Sequence, residues 1–246
     1  MGHLHLGVPV HPVDVPPDGP LRITAVVPAL DEEPRIEAAL RSLRRGGVHE
    51  IIVVDGGSRD ATKARAGALA DLVMDSAPGL FRQLDAGAAR ASGDVLLFHY
   101  ADVLLPAAGR AAIDRALEDP GVIGGAFRLS FPPGRIRFRV VALGARIRNR
   151  LGIGPFGDQS IFMRADAFRS LGGFSGKALL RDADLVRRAR RAGRFELLPE
   201  RVVASTRRWD ERGFLRTAGS HAWFTFLHAV GARRAGSEAL GKLRKR

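Results

Sequence analysis

The sequence contains no cysteine. A disulfide framework and a thiolate metal site are therefore excluded, and the absence fits a reducing compartment. No run of apolar residues reaches the ~18 that a spanning helix needs. The first 20 residues lack the basic and apolar regions of a secretory signal, and their prolines are typical of an extended arm. We expect a cytoplasmic protein.

Tyrosine, one of the residues that stack on bases, is also scarce. The chain has one tyrosine, no set of zinc ligands and no recognisable helix-turn-helix, so we expect no nucleic-acid partner. The formal net charge is nevertheless +13. An excess of this size favours anionic partners, which include phosphorylated small molecules and anionic lipid.

From residue 21 onwards, apolar stretches alternate with helical patterns. Four strands are predicted in RITAVVPA, EIIVVD, ADLVMDSA and DVLLFHYAD, and helices follow in EEPRIEAALRSLRR, DATKARAGALA, LFRQLDAGAARAS and PAAGRAAIDRALED. Strands that are apolar throughout and alternate with helices indicate a mostly parallel sheet covered on both faces. The fold class predicted is α/β.

Two acids stand at the ends of predicted strands. Asp55 ends the second strand, and Asp102 ends the fourth. In open α/β sheets, ligands bind outside the carboxyl ends of the strands, where the strand order reverses. The two carboxylates are therefore candidate ligand-binding groups.

The second half of the chain has a different pattern. Strands are predicted in residues 121–131, at the start of 158–174 and in 194–209, with helices in 134–152, at the end of 158–174 and in 181–193. No linker divides the chain. We predict one domain over residues 21–218, preceded by the arm 1–20 and followed by an aromatic helix and basic tail in 219–246.

Six motifs in order resemble the inverting family 2 glycosyltransferases of GT-A fold. They are VVPALDEE, IIVVDGGSRDAT, ASGDVLLFHYAD, GDQSIFMRADAFRSLGGF, DADL and RRW, and they extend over roughly residues 22–213. Within that family, the sequence is most similar to the subgroup associated with arsenosugar biosynthesis. The resemblance implies transfer of a sugar from a UDP- or GDP-linked donor to an unknown acceptor, with inversion.

The resemblance assigns donor contacts to the first two motifs. Pro28 and Gly56 would lie against the nucleotide, Asp55 would accept a hydrogen bond from the base, and Glu33 would meet the ribose or the base. The alternatives are turn formation for Asp55 and a favourable helix-terminal charge for Glu33.

The metal site implied by the resemblance is Asp102. Mg²⁺ or Mn²⁺ prefers hard oxygen ligands and would neutralise the leaving diphosphate. The family writes Asp-x-Asp or His-Ala-Asp here, whereas this chain has Tyr100-Ala101-Asp102. We expect metal binding weaker than at a two-carboxylate site. Strand alternation predicts that His99 points away from Asp102, as a packed core residue.

Asp182 is the catalytic base that the resemblance implies. A carboxylate must remove a proton from the acceptor hydroxyl as it attacks. The family has Glu-Asp at this position, and here the pair reads Arg181-Asp182. The alternative is that Asp182 caps the helix.

The remaining site residues follow from three further motifs. Asp158 and Gln159 match an acceptor-side motif, or alternatively form a polar turn. Arg208 and Trp209 match an element near the leaving group, or form an exposed basic loop. The helix segment that the family writes with Gly-Arg and Met-Asn-Ala-Gly reads GLFRQLDAGA here, with Leu80 and Asp85 substituted. Arg82 would replace the arginine that is lost. A planar guanidinium suits phosphate oxygens.

Two other functions remain open from the sequence. A nucleotidyltransferase shares this architecture but needs a glycine-rich basic loop after the first strand, and PALDEEPRIE is acidic and lacks glycine. A catalytically degenerate protein that binds nucleotide sugars would explain the departures at Leu80, Asp85, Tyr100 and Arg181.

The C-terminal segment carries one more alternative. SHAWFTFLHAVG is aromatic, and the following 15 residues contain six basic residues and one acid. This composition is typical of an anchor at an anionic membrane surface, at the inner face of the membrane in a cytoplasmic protein. It equally fits a core helix followed by a solvated tail.

Overall fold

The computed structural model describes residues 19–134, 136–174, 180–214 and 216–219. The strands are β1 (Ile23–Ala29), β2 (Glu50–Asp55), β3 (Leu72–Asp75), β4 (Val95–Phe98), β5 (Val103–Leu104), β6 (Val122–Ser130), β7 (Ile161–Arg164) and β8 (Arg194–Ala204). The helices are α1 (Ile36–Arg45), α2 (Thr62–Gly67), α3 (Leu80–Arg90), α4 (Gly109–Leu117), α5 (Ile136–Arg150), α6 (Ala165–Ser170), α7 (Arg181–Ala192) and α8 (Arg207–Arg212). The predicted arm and the predicted aromatic helix with its tail lie almost entirely outside the described residues.

The strands form one sheet in the order β3-β2-β1-β4-β7-β6-β8-β5. In the described chain, β1–β2, β1–β4, β2–β3 and β6–β8 are parallel, whereas β4–β7, β6–β7 and β5–β8 are antiparallel. The strand order reverses between β1 and β4, because the chain first adds strands on one side of β1 and then on the other. The predicted α/β class is confirmed, and the structure places the reversal of strand order, the switch point of the sheet, between β1 and β4.

Both faces of the sheet are covered, which explains why its central strands are apolar throughout. Alternate residues of β1 and β2 point to opposite faces. Val27 and Val53 belong to the core on the face that also carries α1 and α4, while Val26 and Ile52 belong to the core on the face that carries α3, α6 and α7. Helix α3 approaches the sheet closely at Gly87, where an added Cβ would overlap Val26.

Proline is tolerated in the central strand β1 because of where pairing ends. The register between β1 and β4 stops at Val26 and Phe98, whereas pairing with β2 continues past Pro28 to Ala29. The missing N–H of Pro28 falls on the side where β4 has ended, so the ladder loses no bond.

The end of β4 differs from the prediction. The strand stops at Phe98, and Asp102 lies in a turn that leads into the two-residue strand β5. His99 therefore lies outside the strand, and the orientation predicted from strand alternation does not apply, although the side chain is buried as expected. The segment 207–212 is a helix rather than the exposed loop considered as an alternative.

The buried side chain of His99 fixes this turn. Its Nε2 lies 2.9 Å from the carbonyl oxygen of Val103, and its Nδ1 lies 2.8 Å from Ser160 Oγ. A carbonyl only accepts, so Nε2 carries the proton and Nδ1 accepts from the Ser160 hydroxyl. Burial lowers the pKa of His99 to about 4, so the ring is neutral at physiological pH.

None of the helices in the described ranges is long and apolar enough to cross a membrane.

The neutral imidazole predicts a defined loss of stability in acid. The pKa of His99 is about 4 when folded and 6.5 when unfolded, so its contribution is complete above pH 6.5 and is lost as the pH falls towards 4. In that window, the free energy of unfolding should fall by about 1.4 kcal/mol per pH unit because of this residue. Urea titrations of the parent and of His99→Asn at several pH values measure the difference. Identical slopes for the two proteins would contradict the assignment.

Candidate active site

The candidate site begins where β1 and β2 end side by side. The buried amide of Gln83, on α3, donates from Nε2 to the carbonyl oxygens of Ala29 and Val54, at 2.9 and 2.8 Å. This amide therefore links the ends of β1 and β2. Gly56 lies directly against it, and an added Cβ would come within 3.1 Å of Gln83. The loops that follow both strands therefore start from a fixed base.

Asp55 organises the loop after β2. One carboxylate oxygen accepts from the N–H groups of Gly57 and Ser58, at 2.9 and 2.8 Å, and the other accepts from the Ser58 hydroxyl at 2.5 Å. The side chain has no exposed surface. The structure thus shows the turn-forming role that was the alternative for Asp55. Contact of this carboxylate with a base would require the loop to open, and stays a prediction.

Glu33 ties the loop after β1 to the loop after β2. Its carboxylate accepts from the N–H of Ala61 at 3.1 Å and pairs with Arg65 at 3.0 Å. Its own N–H donates to Asp60 at 3.1 Å. The carboxylate is thus occupied by Ala61 and Arg65. A contact of Glu33 with ribose or base stays a prediction.

Glu32, which the sequence analysis did not select, is the acid that faces the site. It is buried, with one oxygen 2.9 Å from Arg207 and the other 3.2 Å from Arg35. Burial raises its pKa, and the nearby charge of Asp102 raises it further against the opposing effect of the two arginines. The structure therefore brings together Glu32, Asp102 and Arg207 from distant segments. The acids Asp31, Glu32 and Glu33 are adjacent in the chain, and nothing in the sequence indicates which of them points into the site.

Asp102 is half-buried in the turn between β4 and β5. Its backbone carbonyl accepts from the N–H of Ser205 at 2.9 Å, and β5 pairs with β8 through Val103 and Ala204. The end of β8 is thereby fixed beside the turn. Helix α8 begins three residues after the end of β8, so fixing the end of β8 also places Arg207 beside Glu32.

Tyr100 connects this turn to a second cluster of polar residues. The Tyr100 ring packs against both halves of the core. Its hydroxyl lies so close to Gly157 that an added Cβ there would overlap it. The N–H of Gly157 in turn donates to Asp182 at 2.8 Å. Asp102 and Asp182 are thus linked through Tyr100 and one glycine.

Asp182 is a buried carboxylate in the first turn of α7. Its second oxygen accepts from the N–H of Ala183 at 2.8 Å. The capping position belongs to Leu180, so the helix-cap alternative is not what the structure shows. Burial raises the pKa of Asp182, and the charge of Asp158 raises it further, while the two N–H bonds and Arg148 oppose the shift. A carboxylate with a raised pKa is a better proton acceptor than an exposed one.

Two residues along the chain, Asp184 has the opposite environment. It pairs with Arg187 and, at 3.0 Å, with Arg188. Hydrogen bonds and charge from these arginines outweigh burial and lower its pKa. Asp184 therefore has a structural role on the other side of α7.

Asp158 and Gln159 form a short 3₁₀ turn before β7. Gln159 is fully buried; its Nε2 donates to the carbonyl of Phe127 at 2.9 Å, and its Oε1 accepts from Asn149 at 3.2 Å. The polar-turn alternative describes the local backbone. The buried amide also joins β6, α5 and this turn beside the candidate base.

Arg148 is a second residue that sequence reasoning missed. Its guanidinium lies 3.9 Å above the ring of Phe156. Burial lowers its pKa, and the charges of Asp158 and Asp182 raise it. The sequence showed only that Arg148 lies in a basic helix. Five arginines lie in that helix, and the sequence does not indicate which of them is near Asp182.

Asp85 and Arg181, where the sequence departs from the family motifs, contact residues outside the candidate site. Asp85 accepts from the N–H of Phe174 at 3.0 Å, and its pKa is raised by burial. Arg181 lies 5.7 Å from the ring of Phe81. Arg82 is exposed in the first turn of α3, and its contact with phosphate stays a prediction.

Trp209 lies in an aromatic cluster with Phe131, Phe138 and Phe214, at centroid distances of 6.5, 5.9 and 5.3 Å. It is only 7% exposed, so stacking on a substrate would require the cluster to rearrange. The backbone of Arg208 belongs to α8, but its side chain lies outside what the structure describes. Over the described ranges, no group of three or more acidic, histidine or cysteine side chains is arranged to hold a metal ion.

Comparison with known proteins agrees with this architecture. A family model described as "Glycosyl transferase family 2" matches residues 24–171. A search of curated proteins found no match. Among solved structures, a mannosyltransferase from Pyrobaculum calidifontis, in complex with GDP-Man and Mn²⁺, superposes with a TM-score of 0.66 at 21% identity. The match covers 89% of this chain and 66% of that chain, so this chain spans about two thirds of that protein's length.

A second similar structure is the glucosyl-3-phosphoglycerate synthase of Mycobacterium tuberculosis. Its complex with phosphoglyceric acid has a TM-score of 0.57 at 26% identity, over 78% of this chain and 75% of that chain. Its complex with Mn²⁺, UDP and glucosyl-3-phosphoglycerate has a TM-score of 0.54 at 24% identity. Both similarities confirm the GT-A type of sheet.

The pair Glu32–Arg207 predicts a measurable coupling. Arg207→Gln should lower the free energy of unfolding by about 1–3 kcal/mol, because it leaves one oxygen of a buried carboxylate without its charged partner. A double-mutant cycle with Glu32→Gln isolates the pair. The control is the exposed pair Lys63–Asp75, whose coupling should be about 0.2–1 kcal/mol. A coupling for Glu32–Arg207 no larger than the control would show that the pair does not hold α8.

Proposed function

Because this chain belongs to glycosyl transferase family 2, we propose that it transfers a sugar from a nucleoside-diphosphate sugar to an acceptor hydroxyl, with inversion and metal assistance. The observation that carries the proposal is the carboxylate of Asp182. It is buried, has a raised pKa, and is held by Gly157 next to Tyr100, two residues before Asp102. The resemblance to the arsenosugar subgroup stays a prediction.

The donor would bind across the ends of β1, β2 and β4. Pro28, Gly56 and the loop held by Asp55 form the floor on which a nucleotide would lie, at the switch point of the sheet. Arg207 would place its guanidinium near the diphosphate, and Arg82 is exposed at the start of α3. The complexes of the two similar transferases with GDP-Man and with UDP support a GDP- or UDP-linked donor.

Asp102 would hold the Mg²⁺ or Mn²⁺ ion. A half-buried carboxylate in a turn fixed by His99 and Ser205 fits a hard cation, and the diphosphate and water would complete its coordination. The ion would neutralise charge on the departing diphosphate. Both similar transferases are complexed with Mn²⁺. One carboxylate suggests weaker binding than a two-carboxylate site would give.

In the reaction, the acceptor oxygen would form a bond to the anomeric carbon as the bond from that carbon to the diphosphate oxygen breaks. The electron pair of the broken bond leaves with the diphosphate. Asp182 takes the proton of the acceptor hydroxyl. A single displacement, in which a carboxylate acts as a base and not as a nucleophile, inverts the anomeric configuration.

Asp102→Asn should abolish the Mn²⁺-dependent part of nucleotide binding, because an amide is a poor ligand for a hard cation. Thermal shift with UDP and with GDP, each with and without Mn²⁺, measures the loss, since a bound ligand raises the melting temperature by mass action. Asp75→Asn, at an exposed acid on β3, is the control. If Asp102→Asn binds nucleotide and Mn²⁺ like the parent, the metal assignment is wrong.

Asp182→Asn should lower kcat by about 100- to 10,000-fold, the usual contribution of a general base, and should leave the affinity for the donor nearly unchanged. The parent's kcat/KM should fall in acid with an apparent pKa above the ordinary range of an aspartate, because only the ionised form accepts a proton. Turnover against pH, with donor binding measured separately, tests both.

The matched control for this variant is Asp184→Asn, in the same turn of α7 but paired with arginines. Its kcat should stay close to that of the parent. A large loss of donor affinity in Asp182→Asn, with a modest loss of kcat, would place Asp182 on the donor instead.

A further inference from the structure

A groove of about 880 Å³ runs between α5 and the strands β6 and β8. Four arginines line it: Arg128 on β6, Arg201 on β8, and Arg139 and Arg146 on α5. No acidic residue is among its lining residues. The groove is therefore strongly basic, with its charges supplied from three separate elements.

Two of these arginines are forced together by the register of the sheet. Arg128 and Arg201 are direct neighbours in the parallel pairing of β6 with β8, where adjacent strands lie about 4.8 Å apart. Their side chains leave the sheet on the same face and both reach the groove. Like charges that face each other across two strands destabilise the pairing, so the register carries a cost unless an anion lies between the guanidinium groups.

The described part of the chain provides no such anion. There, none of the four arginines forms an ion pair or a side-chain hydrogen bond, whereas Arg44, Arg188 and many others are paired. The Nε of Arg128 is shielded from solvent without a hydrogen-bond partner. A buried donor left unpaired is unfavourable, and an anion beside this guanidinium group would reduce the cost through its charge.

The groove adjoins the candidate base through Gln159 and Asn149, which line it and are hydrogen-bonded to each other at 3.2 Å. Arg148, the neighbour of Asn149 in the chain, lies within the electrostatic reach of Asp182. A molecule held by its charged end in the groove would therefore extend towards the carboxylate that activates the acceptor.

We propose that the groove formed by Arg128, Arg139, Arg146 and Arg201 binds a phosphate group of the acceptor. The binding of phosphate stands on the groove alone, and its assignment to the acceptor rests on the proposed function. The phosphate belongs either to a soluble ester or to a lipid. Leu143, which lines the groove, and the exposed Val140 and Ile147 on α5 would accommodate an apolar chain.

The first experiment measures thermal shift of the full chain with inorganic phosphate against chloride at equal ionic strength. Phosphate should stabilise the parent. In Arg128→Gln/Arg201→Gln its affinity should fall about tenfold or more, as charge-assisted hydrogen bonds are lost. Without phosphate, this variant should melt at a higher temperature than the parent, because the repulsion is relieved.

Two further variants make the outcome specific. Arg139→Gln/Arg146→Gln removes exposed side chains of α5, so it tests the groove without disturbing the sheet, and it should also weaken phosphate binding. Arg90→Gln/Arg191→Gln removes two exposed arginines from other helices and should bind phosphate like the parent. Equal stabilisation of the parent and all variants, or no stabilisation of the parent, would overturn the proposal.

The second experiment distinguishes the two sources of phosphate. The full chain and its variants are sedimented with vesicles of phosphatidylcholine containing phosphatidic acid, and with phosphatidylcholine alone. Sedimentation only with phosphatidic acid, lost in Arg139→Gln/Arg146→Gln and displaced by inorganic phosphate, supports a lipid phosphate. Stabilisation by inorganic phosphate without sedimentation supports a soluble ester.

Neither assay uses a donor or turnover. The groove can thus bind phosphate even if Asp182→Asn proves to be without effect, and nucleotide can bind at Asp102 even if the groove binds nothing. Failure of the groove and failure of the proposed function are therefore separate results.

Discussion

The neutral imidazole of His99 is the contact on which the site depends. It holds the turn after β4 by donating to Val103 and accepting from Ser160, and so joins β4, β5 and the segment before β7. Without this buried bridge, the turn that carries Asp102 would lose its connection to the segment before β7, since β4 stops four residues before Asp102. Protonation of Nδ1 would remove its hydrogen bond from Ser160. Burial prevents this at neutral pH because it lowers the pKa of the ring.

Two linked sets of contacts extend from that turn. On one side, Ser205 and β5 fix the end of β8, and α8 then delivers Arg207 to Glu32. On the other side, Tyr100 packs on Gly157, whose N–H holds Asp182. The proposed metal ligand and the proposed base are therefore positioned by one turn. In the proposed reaction both groups act at a single anomeric carbon, and a shared support would hold them in register.

The two aspartates of α7 illustrate how environment divides similar residues. Asp182 is buried among backbone donors and near another acid, so its pKa is raised, while Asp184 is paired with arginines and its pKa is lowered. Arginines show the same division. Arg207 and Arg188 neutralise acids inside the fold, whereas the four arginines of the groove form no ion pair within the described ranges, and in our proposal a ligand neutralises them.

The sequence by itself determined the α/β class, the family and the order of the elements, because apolar periodicity and motif order are local properties that a chain displays without folding. Motif order also selected Asp102 and Asp182, whose roles stay predictions. His99 is buried as expected, but strand alternation was the wrong reason, because β4 ends before it. Only the tertiary structure decided that Glu32 and not Glu33 faces Arg207, that Asp55 closes a turn, that Trp209 is packed among phenylalanines, and that Arg128 lies beside Arg201. These features depend on contacts between residues far apart in the chain, where strand register and helix packing bring side chains together that no spacing in the sequence relates.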